Sequence, residues 1–337
     1  MATMKDVARD AGVSIYTVSA TLSGSANVSA ELRARVNASV ARLGYERNAM
    51  ARDLKQGTSS LIGLIVSDVT NPFFTELVEC IQAEAHQAGY SVLLGISDHD
   101  AAREAELLTL MRSHQAAGTI LSPAGSEETY ADGRLTRGRM RLVAVDNASA
   151  ELGVDGFALD NRKAAELAVS HLLDLGHRRI GVVAGMRHQH VSRERLAGYA
   201  GVLRRAGIPP DPGLVVHGDF RLAEARACAE HLLGLSPRPS AIFVANNLML
   251  IGVMRALAEA GVRVPADMSV CSIDDFPWAP AFQPALTVVR QPIAAMATAA
   301  FRRLVARLRG EAEGGPVQEI FAPELVVRES CAALAAG

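Results

Sequence analysis

Residues 3–24 read TMKDVARDAGVSIYTVSATLSG, and their spacing decides how the rest of the chain is understood. Val7, Ala8 and Ala11 fall on one face of a helix over residues 4–11. Thr3, with Asp6 three residues on, forms a capping-box pattern at the start of that helix. Gly12, Val13 and Ser14 supply a tight turn, Ser14 caps a second helix over 15–23, and Val18 and Leu22 return to the same core. Two helices joined by a short turn containing Gly describe a helix-turn-helix, whose second helix enters the DNA major groove. Ile15, Tyr16, Thr17 and Ala20 are placed to face base edges, and Ser19 to reach phosphate, with Asn27 and Ser29 in the loop that follows. A third helix over 30–43 brings Leu32, Val36, Val40 and Leu43 in to close a three-helix core. Small helical bundles with no DNA role share this pattern, so the rest of the chain must decide.

The chain has 337 residues, 49% of them hydrophobic and 21% charged, which is enough to bury the cores of two or three domains. Net charge is −2, but residues 1–58 carry eight Lys/Arg against five Asp/Glu, a balance of +3 that leaves −5 for the rest. A basic leading segment on an acidic body suits phosphate contact confined to one end. No run of eighteen apolar residues occurs and the N-terminus has no apolar leader, so a cytoplasmic protein without membrane contact is expected. Cys80, Cys228, Cys271 and Cys331 are widely spaced and read as small hydrophobes in a reducing compartment.

Within residues 48–57, Asn48 can cap a helix over 49–56 that Gly57 stops. Two turns of helix are marginal alone, and Leu54 beside Arg52 and Lys55 looks like a minor-groove wedge flanked by phosphate-binding cations. Here the chain resembles the LacI/GalR family of bacterial transcriptional regulators. The matching residues are Lys5-Asp6-Val7-Ala8, Ala11-Gly12-Val13-Ser14, Thr17-Val18-Ser19, Val28-Ser29, Leu43-Gly44-Tyr45, Asn48-Ala49, Ala51-Arg52 and Leu54-Lys55, and the similarity runs through the whole chain. The resemblance implies that residues 49–56 form a hinge helix on operator DNA and that Leu54 inserts at the centre of a palindrome. One position departs from the family pattern: Ala20 stands where a basic or polar residue usually follows the Val-Ser of the recognition helix. Alanine can still pack on a thymine methyl, so the bases read are particular to this chain.

After Thr58 short apolar runs alternate with amphipathic ones. Strands are expected at 61–66, 91–96, 118–121 and 142–145, then at 180–184, 214–217, 241–245, 269–273 and 286–289. Helices are expected at 72–88, 101–114, 162–175, 193–206, 222–233 and 248–260. Such alternation implies parallel sheets covered on both faces, and two series imply two Rossmann-like subdomains. The resemblance implies a periplasmic-binding-protein-like body whose chain crosses between subdomains near 160–161, 290–292 and 321–322. The expected organisation is a helix-turn-helix headpiece at 1–47, a hinge at 48–58 and a body at 59–337. One half of that body spans about 59–160 and 291–321, the other about 161–290 and 322–337.

Ligands of doubly wound folds lie at the carboxyl ends of strands. Polar or aromatic residues follow the expected strands at 68–74, 146–147, 185–195, 219–220, 246–247 and 274–275. Carboxylates and amides grip hydroxyl pairs, an Arg fork grips hydroxyls or a carboxylate, and an aromatic ring covers an apolar sugar face. By resemblance Arg195, Asp274, Asp146, Asn246 and Phe220 match family pocket positions, with Phe73 and Phe74 at the aromatic edge. Gln189 lies in a pocket-facing His188-Gln189-His190 loop, where an anionic sugar acid would find partners. Asn247 stands where relatives often carry Asp. No third ligand accompanies the two histidines, so neither metal nor cofactor is expected. No GxGxxG, GxSxG or P-loop is present, which argues against an enzyme. The expected function is an allosteric, sugar- or sugar-acid-controlled repressor that binds a near-palindromic operator as a homodimer. A sugar-binding protein with no direct regulatory role is the alternative.

Overall fold

The computed structural model describes residues 2–23, 27–45, 59–133, 135 and 140–334. Asn48, Ala51, Leu54 and Lys55, and with them the expected hinge helix, lie outside the described residues. The chain separates into two compact units, Met1–Ser59 and Ser60–Gly337.

The first unit holds α1 (Met4–Ala11), α2 (Ile15–Leu22) and α3 (Ala30–Leu43). Thr3 and Asp6 complete a reciprocal capping box on α1, with Thr3 N donating to Asp6 Oδ2 at 2.9 Å and Asp6 N to Thr3 Oγ1 at 3.3 Å. Gly12 ends α1 at φ 64°, and a Cβ there would meet Arg35 Nη2 at 2.8 Å. That guanidinium donates to Ala11 O at 2.7 Å, pinning α3 to the end of α1. Glycine is thus required both for the left-handed turn and for the approach of Arg35. Val7, Ala8, Ala11, Val18 and Val36 form the core, with Leu22, Val40 and Leu43 packed against it. Leu32, assigned to this core by spacing, is half-buried and outside the cluster. Ser14 Oγ accepts from Thr17 N at 3.0 Å and so starts α2. Ser14→Ala should cost about 1 kcal/mol of helix stability, read as faster hydrogen exchange at the Thr17 amide.

The second unit contains two sheets. Its first series of strands is β1 (Leu61–Val66), β2 (Ser91–Ile96), β3 (Gly118–Leu121), β4 (Arg141–Val145) and β5 (Asp155–Leu159). The second is β6 (Ile180–Ala184), β7 (Val215–His217), β8 (Ala241–Val244), β9 (Ser269–Ile273) and β10 (Thr287–Arg290). Two late strands, β11 (Gln318–Phe321) and β12 (Glu324–Val326), add one edge to each sheet. The orders are β11-β5-β4-β3-β1-β2 and β12-β10-β9-β8-β6-β7. Every pairing is parallel except β10 with β12. The chain passes from the first sheet to the second after β5, returns after β10, and passes again between β11 and β12.

Helices cover both faces, as buried parallel strands require. They are α4 (Pro72–Gln87), α5 (Ala101–Ser113), α6 (Glu127–Tyr130), α7 (Asn161–Asp174), α8 (His190–Arg205), α9 (Leu222–Leu233), α10 (Asn247–Glu259) and α11 (Ile293–Arg309). On the first sheet α4 and α11 share one core through Leu77, Ile81, Met296, Phe301 and Leu304, while Leu108 and Met111 of α5 pack on the other face. In the second half α7 and α8 meet one face, and α9 and α10 the other. No helix among the described residues is long and apolar enough to cross a membrane.

The doubly wound body is as the strand–helix alternation implied, but β5, β11, β12 and α11 were not among the expected elements. β11 and β12 are short edge strands with few buried side chains, so neither carries an apolar run. β5 includes Gly156, where a Cβ would lie 2.1 Å from Gln318 Oε1, so β11 closes directly on that gap. Asp155 at the head of β5 is 4% exposed. It accepts from Arg307 Nε and Nη2 at 2.8 and 3.1 Å and from Val317 N at 2.8 Å, with Arg303 Nη2 3.1 Å away. One carboxylate thereby fastens α11 and the approach to β11 onto the first sheet.

Candidate functional site

In the first unit the start of α2 presents Ile15 and Tyr16 at 45% and 81% exposure. Two large exposed side chains beside a helix N-terminus make a surface suited to apolar base contacts flanked by phosphate-seeking N–H groups. Thr17, Ser19 and Ala20 are half-buried on the same helix, and Asn27 and Ser29 are exposed. Thr3, Ser14 and Ser29 are each helix caps, so their hydroxyls sit at the N-termini of α1, α2 and α3.

In the second unit, Phe73, Phe74, Asp146, Gln189, Arg195, Phe220, Asn246 and Asp274 all line one pocket. Strand ends bring them there. Asn71 caps α4 after β1, its Oδ1 accepting from Phe73 N at 2.9 Å, and Phe73 and Phe74 meet edge to face at 5.0 Å. Both rings are buried in the core behind the pocket as well as facing it, at 3% and 4% exposure. Asp146 after β4, Phe220 after β7 and Asp274 after β9 turn inward at φ 66°, 58° and 74°, left-handed conformations that few side chains adopt. Asn246 caps α10 by accepting from Met249 N at 2.9 Å. Asn71 and Val191, within the stretches 68–74 and 185–195, complete the lining together with His99 and Gln291, which lie outside the stretches expected from sequence. His99 obeys the same rule as the others, a polar residue just past a strand, here β2.

Charge in the pocket is concentrated and desolvated. Arg195, 3% exposed, donates from Nε to Asn161 Oδ1 at 2.8 Å and from Nη1 to Ala245 O, and Nη1 lies 3.9 Å from Asp274 Oδ2. Gln291 Nε2 donates to Asp274, while Gln291 Oε1 is buried with no hydrogen-bond partner among the described residues. Burial pushes Asp274 up from the usual carboxylate range despite Arg195. Asp146 is pushed up to about 6 by desolvation, opposed by Arg195 and reinforced by the charge of Asp274. The folded protein therefore holds a proton on Asp146 at pH values where the unfolded chain has released it, and stability falls as pH rises from about 4 through 6. Asp146→Asn should accordingly add about 1–2 kcal/mol at pH 8 and nothing near pH 4, measured by urea unfolding at both values.

The two halves meet around this pocket. His99 stacks on Phe220 at 6.0 Å, Arg221 Nη2 lies 3.1 Å from Asp98 Oδ1, and Arg193 pairs with Glu127 at 2.6 Å. Asn147 Oδ1 accepts from Val191 N at 3.2 Å. The pocket between the halves encloses about 350 Å³ of space, part of it open to solvent. His188 and His190 face elsewhere: His188 Nε2 lies 3.4 Å from Ala124 O, and His190 Nδ1 lies 3.2 Å from Glu127. No group of three metal-binding side chains occurs among the described residues. Asn247 is buried and not among the pocket-lining residues; its side-chain amide has no hydrogen-bond partner among the described residues, and its backbone N–H donates to Asp274.

Two parallel-sheet halves around a polar, aromatic-walled cleft, in one chain with a helix-turn-helix, define a ligand-binding transcription regulator. Residues 3–48 match the family described as bacterial regulatory proteins, lacI family, and residues 169–331 match the periplasmic binding protein-like domain. The chain is 34% identical to the ribose operon repressor of Haemophilus influenzae and 31% identical to the transcriptional repressor PurR of Photobacterium profundum, over 98% of each chain in both cases. It is 33% identical to the repressor CytR of Escherichia coli over 99% of this chain and 97% of that one. A crystal structure of the lac repressor dimer bound to operator and the anti-inducer ONPF matches with TM-score 0.88 at 28% identity, over 98% of this chain and 99% of that one. The chain belongs to the lacI family of bacterial regulatory proteins and is a DNA-binding transcriptional repressor of that family rather than an enzyme.

Proposed function

We propose that this repressor binds a near-palindromic operator as a homodimer and that a neutral sugar in the cleft controls its operator affinity. The observation that carries the reading is the convergence of Phe73, Phe74 and Phe220 with Asp146, Arg195, Asn246 and Asp274 in one pocket. Aromatic faces suit the C–H surface of a sugar ring, and the polar groups suit its hydroxyls. A neutral ligand is favoured over a sugar acid because two carboxylates share a single guanidinium that is already engaged. A pentose is the first compound to test, since the Haemophilus influenzae relative is a ribose operon repressor. Ser14, Ile15, Tyr16, Thr17, Ser19, Ala20, Asn27 and Ser29 are proposed to meet the operator, with Thr3 at the neighbouring helix end. Asn48, Ala51, Leu54 and Lys55 are proposed as the hinge contact in the minor groove, joining a headpiece at 1–47 to the body.

An effector shifts this equilibrium only by binding one cleft geometry better than the other. The test combines mobility shift on genomic fragments with a thermal-shift screen of pentoses, hexoses and aldonates. Specific retardation that falls steeply with salt is expected, together with a melting-temperature rise from a neutral sugar that also changes the retardation. Specific retardation unchanged by every sugar that raises the melting temperature would overturn sugar control. Stabilisation by aldonates alone would overturn the neutral assignment.

A further inference from the structure

Far along the chain from the cleft residues of α8, two cysteines come together. Cys271 occupies the middle of β9 and is fully buried, while Cys331, in the segment after β12, is half-buried and packs against the same core. That segment is firmly held: Val270 N donates to Ser330 O at 2.8 Å, Ala332 N to Ser269 Oγ at 3.0 Å, and His177 Nε2 lies 3.1 Å from Ala332 O. Cys331 Sγ donates to Val270 O, the carbonyl next to Cys271, at 3.2 Å, and both cysteines pack into one core. His171 of α7 lies near Cys331, and its Nε2 is buried with no hydrogen-bond partner among the described residues. Cys80 and Cys228 are the remaining cysteines, each half-buried, and neither is hydrogen-bonded to another thiol among the described residues.

We propose that Cys271 and Cys331 form a dithiol modification site for hydrogen peroxide or another small peroxide, with Cys331 as the attacking sulfur and Cys271 as the resolving one. The Cys331 thiolate attacks the outer peroxide oxygen, the O–O bond breaks, and hydroxide leaves as the sulfur becomes a sulfenic acid, oxidised by two electrons. Cys271 gives its proton to that hydroxide, making water, and its sulfur attacks Cys331. The S–S bond forms, the S–O bond breaks, and hydroxide departs with a proton as a second water. Two thiols and one peroxide thus become one disulfide and two waters. The assignment of roles follows from position: only Cys331 has solvent access and an imidazole beside it, and thiolate character with access decides which cysteine reacts. The neighbouring Cys271 and His171 hold the Cys331 thiol below the ordinary range, whereas Cys331 and burial push Cys271 well above it.

The test treats the full-length chain with hydrogen peroxide, blocks remaining thiols under denaturing conditions, and maps peptides by mass spectrometry without reductant. The expected product is an intramolecular Cys271–Cys331 cross-link that dithiothreitol removes, formed at least tenfold faster than oxidation of Cys80 or Cys228. Cys331→Ser should leave Cys271 reduced, and Cys271→Ala should arrest Cys331 as a sulfenic acid trapped by dimedone. Oxidation of Cys331 at the rate of Cys80, or conversion of Cys331 to sulfinic acid in the unaltered chain while Cys271 stays reduced, would overturn the proposal. Should Cys271→Ala fail to fold, the cross-link in the unaltered chain still decides.

Discussion

Arg195→Ala is expected to lower effector affinity by about a hundredfold, the loss of a charge-assisted contact of about 2–3 kcal/mol, while specific operator retardation persists. Arg195 is the cation that Asp146 and Asp274 share, and its other donors hold Asn161 and Ala245. Without it two desolvated carboxylates face one another and Asn161 Oδ1 loses its donor. Breaking a buried pair by removing one partner costs about 3–5 kcal/mol, so the variant should also unfold at lower urea. Part of that loss should recover as pH falls, beginning at higher pH than in the unaltered chain, because Arg195 no longer opposes the burial and the Asp274 charge that keep Asp146 protonated. Arg195→Lys should rescue the stability more than the affinity, since a point charge replaces the fork. Calorimetry with the sugar found in the screen, and urea melts at two pH values, read both effects. Unchanged affinity in the alanine variant would remove Arg195 from the binding site.

A loss of stability of similar size, with the opposite pH dependence, is expected at Asp155. Asp155→Ala leaves Arg303 and Arg307 without their buried carboxylate and Val317 N without its acceptor. A loss of about 3–5 kcal/mol follows by the same reasoning. Burial raises the Asp155 pKa, but hydrogen bonds from Arg307, Val317 and Arg303 outweigh it and hold the group below the usual carboxylate range. The sign is therefore opposite to that of Asp146. Stability from a depressed carboxylate is complete above its unfolded pKa, near 4, and disappears as pH falls through the lower folded value. The gap between unaltered and Asp155→Ala proteins should be wide at pH 7 and narrow steadily below pH 4. A gap independent of pH in that range would mean that packing, not charge, makes the contribution.

Polar or aromatic side chains directly after apolar runs mark the stretches that hold the eight pocket residues, and the family resemblance picks most of the individual positions within them. His99 and Gln291 escaped for different reasons. His99 follows β2 in a loop, Ser97-Asp98-His99-Asp100, that reads as an ordinary turn, and its role depends on stacking with Phe220, 121 positions away. Gln291 sits in a segment that passes between the halves, and only its contact with Asp274 turns it toward the pocket. The edge strands were hidden because pairing partners, rather than their own hydrophobicity, define them. Leu32 has the right period for the headpiece core, but Val36, four residues on, is the α3 residue buried in the cluster with Val7 and Val18. Local spacing specifies a helix face more reliably than it specifies how far along that face the contact lies.

The passage of the chain between the two halves has a consequence for synthesis. The first sheet needs Ile293, Met296, Phe301 and Leu304 of α11 to finish its core, and β11 to cover its edge. Those residues leave the ribosome long after β5 does, and at roughly 5–20 residues per second the delay is on the order of ten seconds. Most of the second half, residues 161–290, is made during that interval and lacks only β12 and the segment after it. The half whose strands are translated first must therefore wait with an uncovered apolar face, which is what a chaperone would meet on the nascent chain.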